Sequence, residues 1–237
     1  MLGRFLEISI HTPDLLDSIG FFEALGLSQA VAGDIWSHGY GVVTDGHVAL
    51  GLHAYAFASP ALVWVHPRVA KFGRQLEADG INLEFLKTGE EQFNELGFLD
   101  PDGQMITLVE ARTFSPPSTP PPPPAAGYFS EYRYPVRRLD DAIVFWEGMG
   151  FVATDHSGPP SPRAALTSDG VDLCLYESAR REPPCLLFTT PDMDATEALL
   201  TQRGLEPVSA EDQVLGVPSL ALQAPEGTAI CIVRETL

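Results

Sequence analysis

The chain has 237 residues, 45% hydrophobic and 19% charged, enough apolar material for one large domain or two of about 110 residues. Its 32 acidic and 14 basic side chains give a net charge of −18 with no Lys/Arg cluster, which argues against nucleic acid and anionic membrane surfaces as partners. Three cysteines without C-x-x-C spacing, no run near 18 apolar residues and no signal-peptide core in MLGRFLEISIHTPD predict a cytoplasmic protein with buried thiols.

In chain order, Phe5–Ile10 reads as a β run. Asp14 then caps a helix to about Leu25, with Leu15, Ile19 and Phe22 on one face and Gly26 as its stop. Strands are predicted at Gln29–Ala32, Trp36–Thr44 and His47–His53, with Asp45-Gly46 as a two-residue hairpin. The order then recurs. Leu62–Val65 is a strand, Pro67–Ala78 a helix ended by Gly80, and Leu83–Leu86, Gln92–Phe98 and Met105–Val109 are strands, the last two joined by Asp100-Pro-Asp-Gly103. The whole set is then written again. Glu7–Leu27 (EISIHTPDLLDSIGFFEALGL) and Glu131–Phe151 (EYRYPVRRLDDAIVFWEGMGF) agree at seven of 21 positions, and the offset of 124 also superposes Asp45-Gly46 on Asp169-Gly170 and Gly80 on Gly204. Ser115–Pro124 is too proline-dense for a sheet or helix and reads as a semi-rigid spacer. The expectation is an α+β chain of four βαβββ units in tandem domains, 1–112 and 127–237, around a linker, 113–126.

This order, with FFEALGL closing the first helix and FLDPDGQMITL opening the last strand of the first half, resembles the vicinal oxygen chelate superfamily: glyoxalase I, bleomycin-resistance proteins, fosfomycin-resistance enzymes and extradiol dioxygenases. The resemblance implies curved mixed sheets whose concave faces form cups for ligand, with helices on the convex faces. It also implies a divalent metal (Zn, Fe or Mn) held by His, Glu or Gln. The ligand positions it locates are Glu7 and Glu131 on the first strands, Gly51 and Leu175 on the fourth, Ala61 and Cys185 opening the second units, and Thr107 and Cys231 on the last strands. Only Glu7 in the first half is a competent ligand for a hard ion, so no cofactor is expected. In the second half a Cys₂Glu zinc site stands against small buried thiols at apolar strand positions.

Strand alternation puts Phe5, Glu7 and Ser9 on one face and Leu6, Ile8 and Ile10 on the other, under the helix. Glu7 and Ser9, with His53, Val63, Val65, Met105, Thr107 and Val109, then line the first cup. Glu131, Arg133, Leu173, Leu175, Cys185, Leu187 and Cys231 line the second. Glu7 and Glu131 are candidate general bases, and Tyr40 a candidate for stacking on a bound ring. Arg133 either grips an anionic ligand or neutralises Glu131. Trp36 reads as core. The leading functional expectation is a protein holding a small, partly apolar molecule in a cup. The alternative is a metal-dependent lyase or extradiol-type dioxygenase using Glu7 or Glu131. A monomer with an internal pseudo-twofold, or a homodimer, is expected.

Overall fold

The computed structural model describes residues 1–33, 35–158, 161–180 and 182–235. The first half runs β1 (Arg4–His11), α1 (Leu15–Leu25), β2 (Ser28–Ala32), β3 (Tyr40–Thr44), β4 (Ala49–His53), β5 (Ala61–Val65), α2 (Val69–Ala78), β6 (Leu83–Lys87), β7 (Glu95–Leu99), β8 (Met105–Val109) and β9 (Phe114–Ser115). The second runs β10 (Tyr128–Val136), α3 (Leu139–Met149), β11 (Val152–Ser157), β12 (Arg163–Ser168), β13 (Val171–Glu177), β14 (Cys185–Thr190), α4 (Met193–Gln202), β15 (Val208–Glu211), β16 (Pro218–Gln223) and β17 (Ala229–Arg234).

Each half is one open mixed sheet, ordered β6-β7-β8-β5-β1-β4-β3-β2-β9 and β11-β12-β13-β10-β14-β17-β16-β15. Within every unit the first strand pairs parallel with the fourth across the helix crossover, and the two units of a half meet through antiparallel β1–β5 or β10–β14. The four βαβββ units are therefore real. Helix α1 starts where the Asp14 carboxylate accepts from the backbone N–H of Leu16 and Asp17. It ends at Gly26, whose φ of 106° suits only a residue without a side chain.

One apolar core spans both halves. It takes in Ile8, Ile10 and Phe22 from the first, and Tyr132, Trp146, Leu173 and Leu175 from the second. Trp64 and Trp146 are buried with ring centroids 6.3 Å apart, and Trp146 also meets Phe151 at 4.9 Å. Such aromatic pairs add about 0.5–1.5 kcal/mol each beyond their buried area. Polar contacts also join the halves. The Asp100–Gly103 turn carries the Asp100 carboxylate to the Tyr134 hydroxyl (2.7 Å) and Asp102 to Arg137 (3.0 Å), while Glu226 of the matching second-half turn accepts from Ser18 (2.7 Å). Burial raises the Asp100 carboxyl above its usual range, against the hydrogen bonds from Tyr134 and the turn amides.

Four local expectations need correction. A bulge between Phe5 and Glu7 puts Leu6 on the cup side with Val63 and Val109, and turns Phe5 to the opposite face, edge-on to Trp64 at 5.2 Å. Asp45-Gly46 is not a two-residue hairpin. Thr44 pairs with Ala49, leaving four connecting residues, and the Asp45 carboxylate accepts from the backbone of His47 and Val48. Asp169-Gly170 is the tight version, directly joining the Ser168–Val171 pair. That difference shifts β13 by one residue, so Cys174, not Leu175, stands beside Arg133. Leu173 and Leu175 fall in the core instead. Finally, the proline segment is tied down at both ends. Phe114 and Ser115 pair with β2, and Ala126 donates to the Leu25 carbonyl at the end of α1 (3.0 Å). A Cβ on Gly26 would lie 2.3 Å from the Ala125 nitrogen, so this glycine serves the close packing as well as the cap.

Candidate functional site

The concave face of the first sheet encloses a cavity of about 860 Å³. On its floor the Glu7 side chain, 2% exposed, is held from three sides. Ser9 Oγ donates to Oε1 at 2.7 Å, the Tyr40 hydroxyl donates to Oε2 at 2.6 Å, and His53 Nε2 lies 3.4 Å from Oε1. Burial, then the charge and hydrogen bond of Glu7, push the Tyr40 phenol far above its ordinary range, so it remains a donor. Thr113 Oγ1 meets the Tyr40 hydroxyl at 2.8 Å, fixing its direction. Gly51 completes the seat. A Cβ there would come within 2.2 Å of Glu7 Oε1, so the strand next to β1 must be bare for the carboxylate to lie against it.

From the floor a chain of imidazoles leads outward. His53 Nδ1 and His38 Nε2 are 3.0 Å apart, and the arrangement satisfying every contact runs His38 Nε2–H to His53 Nδ1 and His53 Nε2–H to Glu7. Burial, then the neighbouring His53, lower the His38 pKa. The His38 ring is stacked between Trp36 (5.7 Å, 26°) and Tyr55 (5.2 Å, 26°), and Trp36 also meets His53 and Phe93 edge-on. Trp36 thus forms the cup wall rather than core. The Tyr40 ring is 4.5 Å from that of His53 and committed to it, so its contribution is the hydroxyl rather than a free stacking face.

The second cup is built on the same strands and carries a different charge pattern. Arg133, 2% exposed, extends along the floor with Nε 2.6 Å from Glu131 Oε1 and Nη1 2.8 Å from Asp212 Oδ2. Burial opposes its charge, but Glu131 and Asp212 outweigh burial and raise its pKa further. Asp212 also takes the backbone N–H of Leu215 at 2.6 Å and the Cys231 thiol at 3.2 Å. The segment it anchors lays Leu215 and Val217 over Leu187, Cys231 and Val233. Cys174 and Cys185 are the in-register neighbours of Arg133 on either side. Burial pushes all three thiols up to about 12. The remaining opening, about 660 Å³, runs past Ser130, Thr189 and Ser219 toward Glu197.

No family model and no curated protein matches this sequence. Solved structures do. A variant of homoprotocatechuate 2,3-dioxygenase from Brevibacterium fuscum superposes with a TM-score of 0.66 at 15% identity, covering 100% of this chain and 72% of that one. The 2,3-dioxygenase LapB from Pseudomonas sp. KL28 gives 0.65 at 13% identity over 100% and 94%. The Mn(II)-bound glyoxalase from Novosphingobium aromaticivorans gives 0.66 at 13% identity over 99% and 82%.

The chain has the vicinal oxygen chelate fold. Within that fold the structure gathers Glu7, Ser9, Tyr40 and His53 into one network, with Thr107 on the wall of the same cavity. It gathers Glu131, Arg133, Cys185 and Cys231 into the other cup, where Arg133 is paired with carboxylates on both sides. Trp36, His38, Thr113, Cys174 and Asp212 were not foreseen. Thr113 and Asp212 sit outside regular strands, where no alternation marks which way a side chain points, and so do Trp36 and His38, because β3 begins at Tyr40 rather than at Trp36 as predicted. Among the described residues no helix is long and apolar enough to cross a membrane.

Proposed function

We propose that the chain binds a small, partly apolar molecule in the first cup, without a metal in the position that the vicinal oxygen chelate fold reserves for one. The observation carrying this reading is the occupied seat of Glu7. A divalent ion there would need several His or carboxylate donors around it. Gly51, Ala61 and Thr107 stand at the other positions, and any side chain at 51 would strike the Glu7 carboxylate. Both Glu7 oxygens already accept hydrogen bonds, and the one nearby imidazole, His53, is tied back to His38. Among the described residues no three His, Cys, Asp or Glu side chains converge as a metal group. This donor set does not fit the metal. What it fits is a roomy cavity with apolar walls and a few directed polar groups, the usual form of a small-molecule site.

The test is a panel of small aromatic and alicyclic compounds titrated by calorimetry. Ala61→Trp fills the first cup and Thr189→Trp the second. Ligand binding lost in the first variant and kept in the second is expected; the reverse would move the site to the second cup. The protein is also dialysed against Mn(II), Fe(II) and Zn(II). One equivalent retained, and lost in Glu7→Ala, would overturn the metal-free reading.

One observation favours a catalytic role as a second reading: the His38–His53–Glu7 chain is a ready path for a proton between the mouth and the floor. A bound ligand consumed by the wild-type chain, and bound but not consumed by His53→Gln, would support it. The two halves share one apolar core, and we read the chain as a monomer with an internal pseudo-twofold, a homodimer being the alternative, to be checked by light scattering.

A further inference from the structure

The duplication supplies an internal control for the first cup. Ser9 and Arg133 occupy the same position, 124 residues apart, each two residues beyond the floor glutamate. In the second cup Arg133 places a guanidinium on Glu131 and Asp212, so the carboxylates there have a cation built into the chain. In the first cup the equivalent residue is the Ser9 hydroxyl, and the space that an arginine side chain fills in the other half is left to the cavity. Glu7 is as deeply buried as Arg133, both 2% exposed, yet its partners are two hydroxyls and an imidazole. The other charged groups on the cavity wall do not redress this. Lys87 is bound to Glu95 at 2.5 Å, and Glu84 adds a further negative charge. Aromatic rings line the same cavity: Phe57, and Trp36 and Tyr55 with one face each stacked on His38, while Phe85 already carries the Lys87 ammonium over its ring at 5.5 Å, the kind of contact by which ring faces attract cations.

We infer that the ligand of the first cup is an organic cation with an apolar or aromatic body, its charge taking the place that Arg133 holds in the second cup. This rests on the proposed role of the first cup as the ligand site. The contributions act together in one cavity: a floor carboxylate without a lysine or arginine of its own, and the ring of Phe57 with the faces of Trp36 and Tyr55 that His38 does not cover. A neutral ring gains only the apolar part. An anion of the same size meets Glu7 and Glu84, with Glu95 and Lys87 cancelling each other.

Three bicyclic compounds of like shape and different charge separate the possibilities: N-methylquinolinium, quinoline and 2-naphthoate. They are titrated into the full chain by calorimetry at pH 8, where ordinary imidazoles and quinoline are uncharged. The expected order is cation, neutral, anion, with the cation at least about tenfold tighter than quinoline. The preference should fall to about threefold or less in Glu7→Gln. Should that variant lack a cooperative melt, Ser9→Arg, which gives the first cup its own guanidinium, should remove the cation preference instead. Quinoline binding as well as or better than N-methylquinolinium, or a cation preference that survives these variants, overturns the inference while leaving the cup as a ligand site. If none of the three binds, and the wider panel finds its site in the second cup, the underlying reading fails and the inference with it.

Discussion

The seat of Glu7 makes Gly51→Ala the most informative substitution in the chain. The added methyl carbon would lie 2.2 Å from Oε1, 2.4 Å from Cδ and 2.6 Å from Oε2 of Glu7, all below contact distance. Backbone shift is costly because Gly51 sits in register between Ser9 and Val42 in the middle of the sheet. The carboxylate must move instead, although it is the flexible end of its side chain, because it is the group in the way. Moving it breaks the bonds from Ser9 and Tyr40, each to a charged acceptor and each worth about 1.5–3 kcal/mol. Residual overpacking adds about 1–3 kcal/mol. Together these give a loss of about 4–9 kcal/mol, about 8–36 °C in Tm for a chain of this size. Glu7→Ala removes the obstacle, so Gly51→Ala should cost far less in that background, with a coupling of about 2 kcal/mol or more in the double-mutant cycle. The assay is thermal and urea unfolding of the four proteins. Additive losses, or a Gly51→Ala melt within about 1 °C of wild type, would show that Glu7 does not lie against Gly51.

Other outcomes can be checked in the same way. Tyr134→Phe strips the hydroxyl that donates to Asp100 and accepts from Trp146 Nε1 where the halves meet. It should lower the urea midpoint by an amount equal to about 1–3 kcal/mol without changing the slope. Arg133→Met leaves Glu131 and Asp212 without their cation and should cost about 3–5 kcal/mol. Asp212→Asn added to it should recover part of that loss, whereas an undisturbed Arg133→Met melt would mean the second cup is not held by this pair. With thiols raised from 9.0 to about 12, iodoacetamide at pH 8 should label Cys174, Cys185 and Cys231 at least about tenfold more slowly in the folded chain than in urea, the loss of thiolate outweighing its higher nucleophilicity. Because the folded state holds these protons more tightly than the unfolded one, stability should fall as pH climbs from about 9 toward 12 and be unaffected by these groups below 9. Mass spectrometry of labelled protein and melts at stepped pH read the two effects.

The repeat and its βαβββ order were legible because apolar periodicity, capping residues and glycine stops all point the same way in each unit. The cup residues Glu7, Ser9, His53 and Thr107 followed from alternation, since a buried face fixes the direction of every second side chain. Three kinds of information were missing. A bulge resets the alternation without any marker in composition, which is why alternation alone puts Phe5 on the wrong face. Turn length decides register: two Asp-Gly pairs that look identical span four residues in one half and two in the other, and that difference separates Cys174 from Leu175. Irregular segments carry no period at all. The Trp36–His38 wall, Thr113 behind Tyr40 and the Asp212 brace are set by tertiary contacts that no local pattern encodes.

The covalent joining of the halves through the tethered proline segment has a consequence for how the two floors came to differ. In a pair of identical, unlinked subunits every substitution is made twice, and a serine chosen for one cavity appears in the other as well. Here positions 9 and 133 are separate codons in one chain. One half could acquire an arginine strut braced between two acids across its floor, while its twin kept a glutamate held by two hydroxyls against a glycine. The two halves stay in contact through the shared core, where Trp146 and Tyr134 of the braced half meet Trp64 and Asp100 of the other.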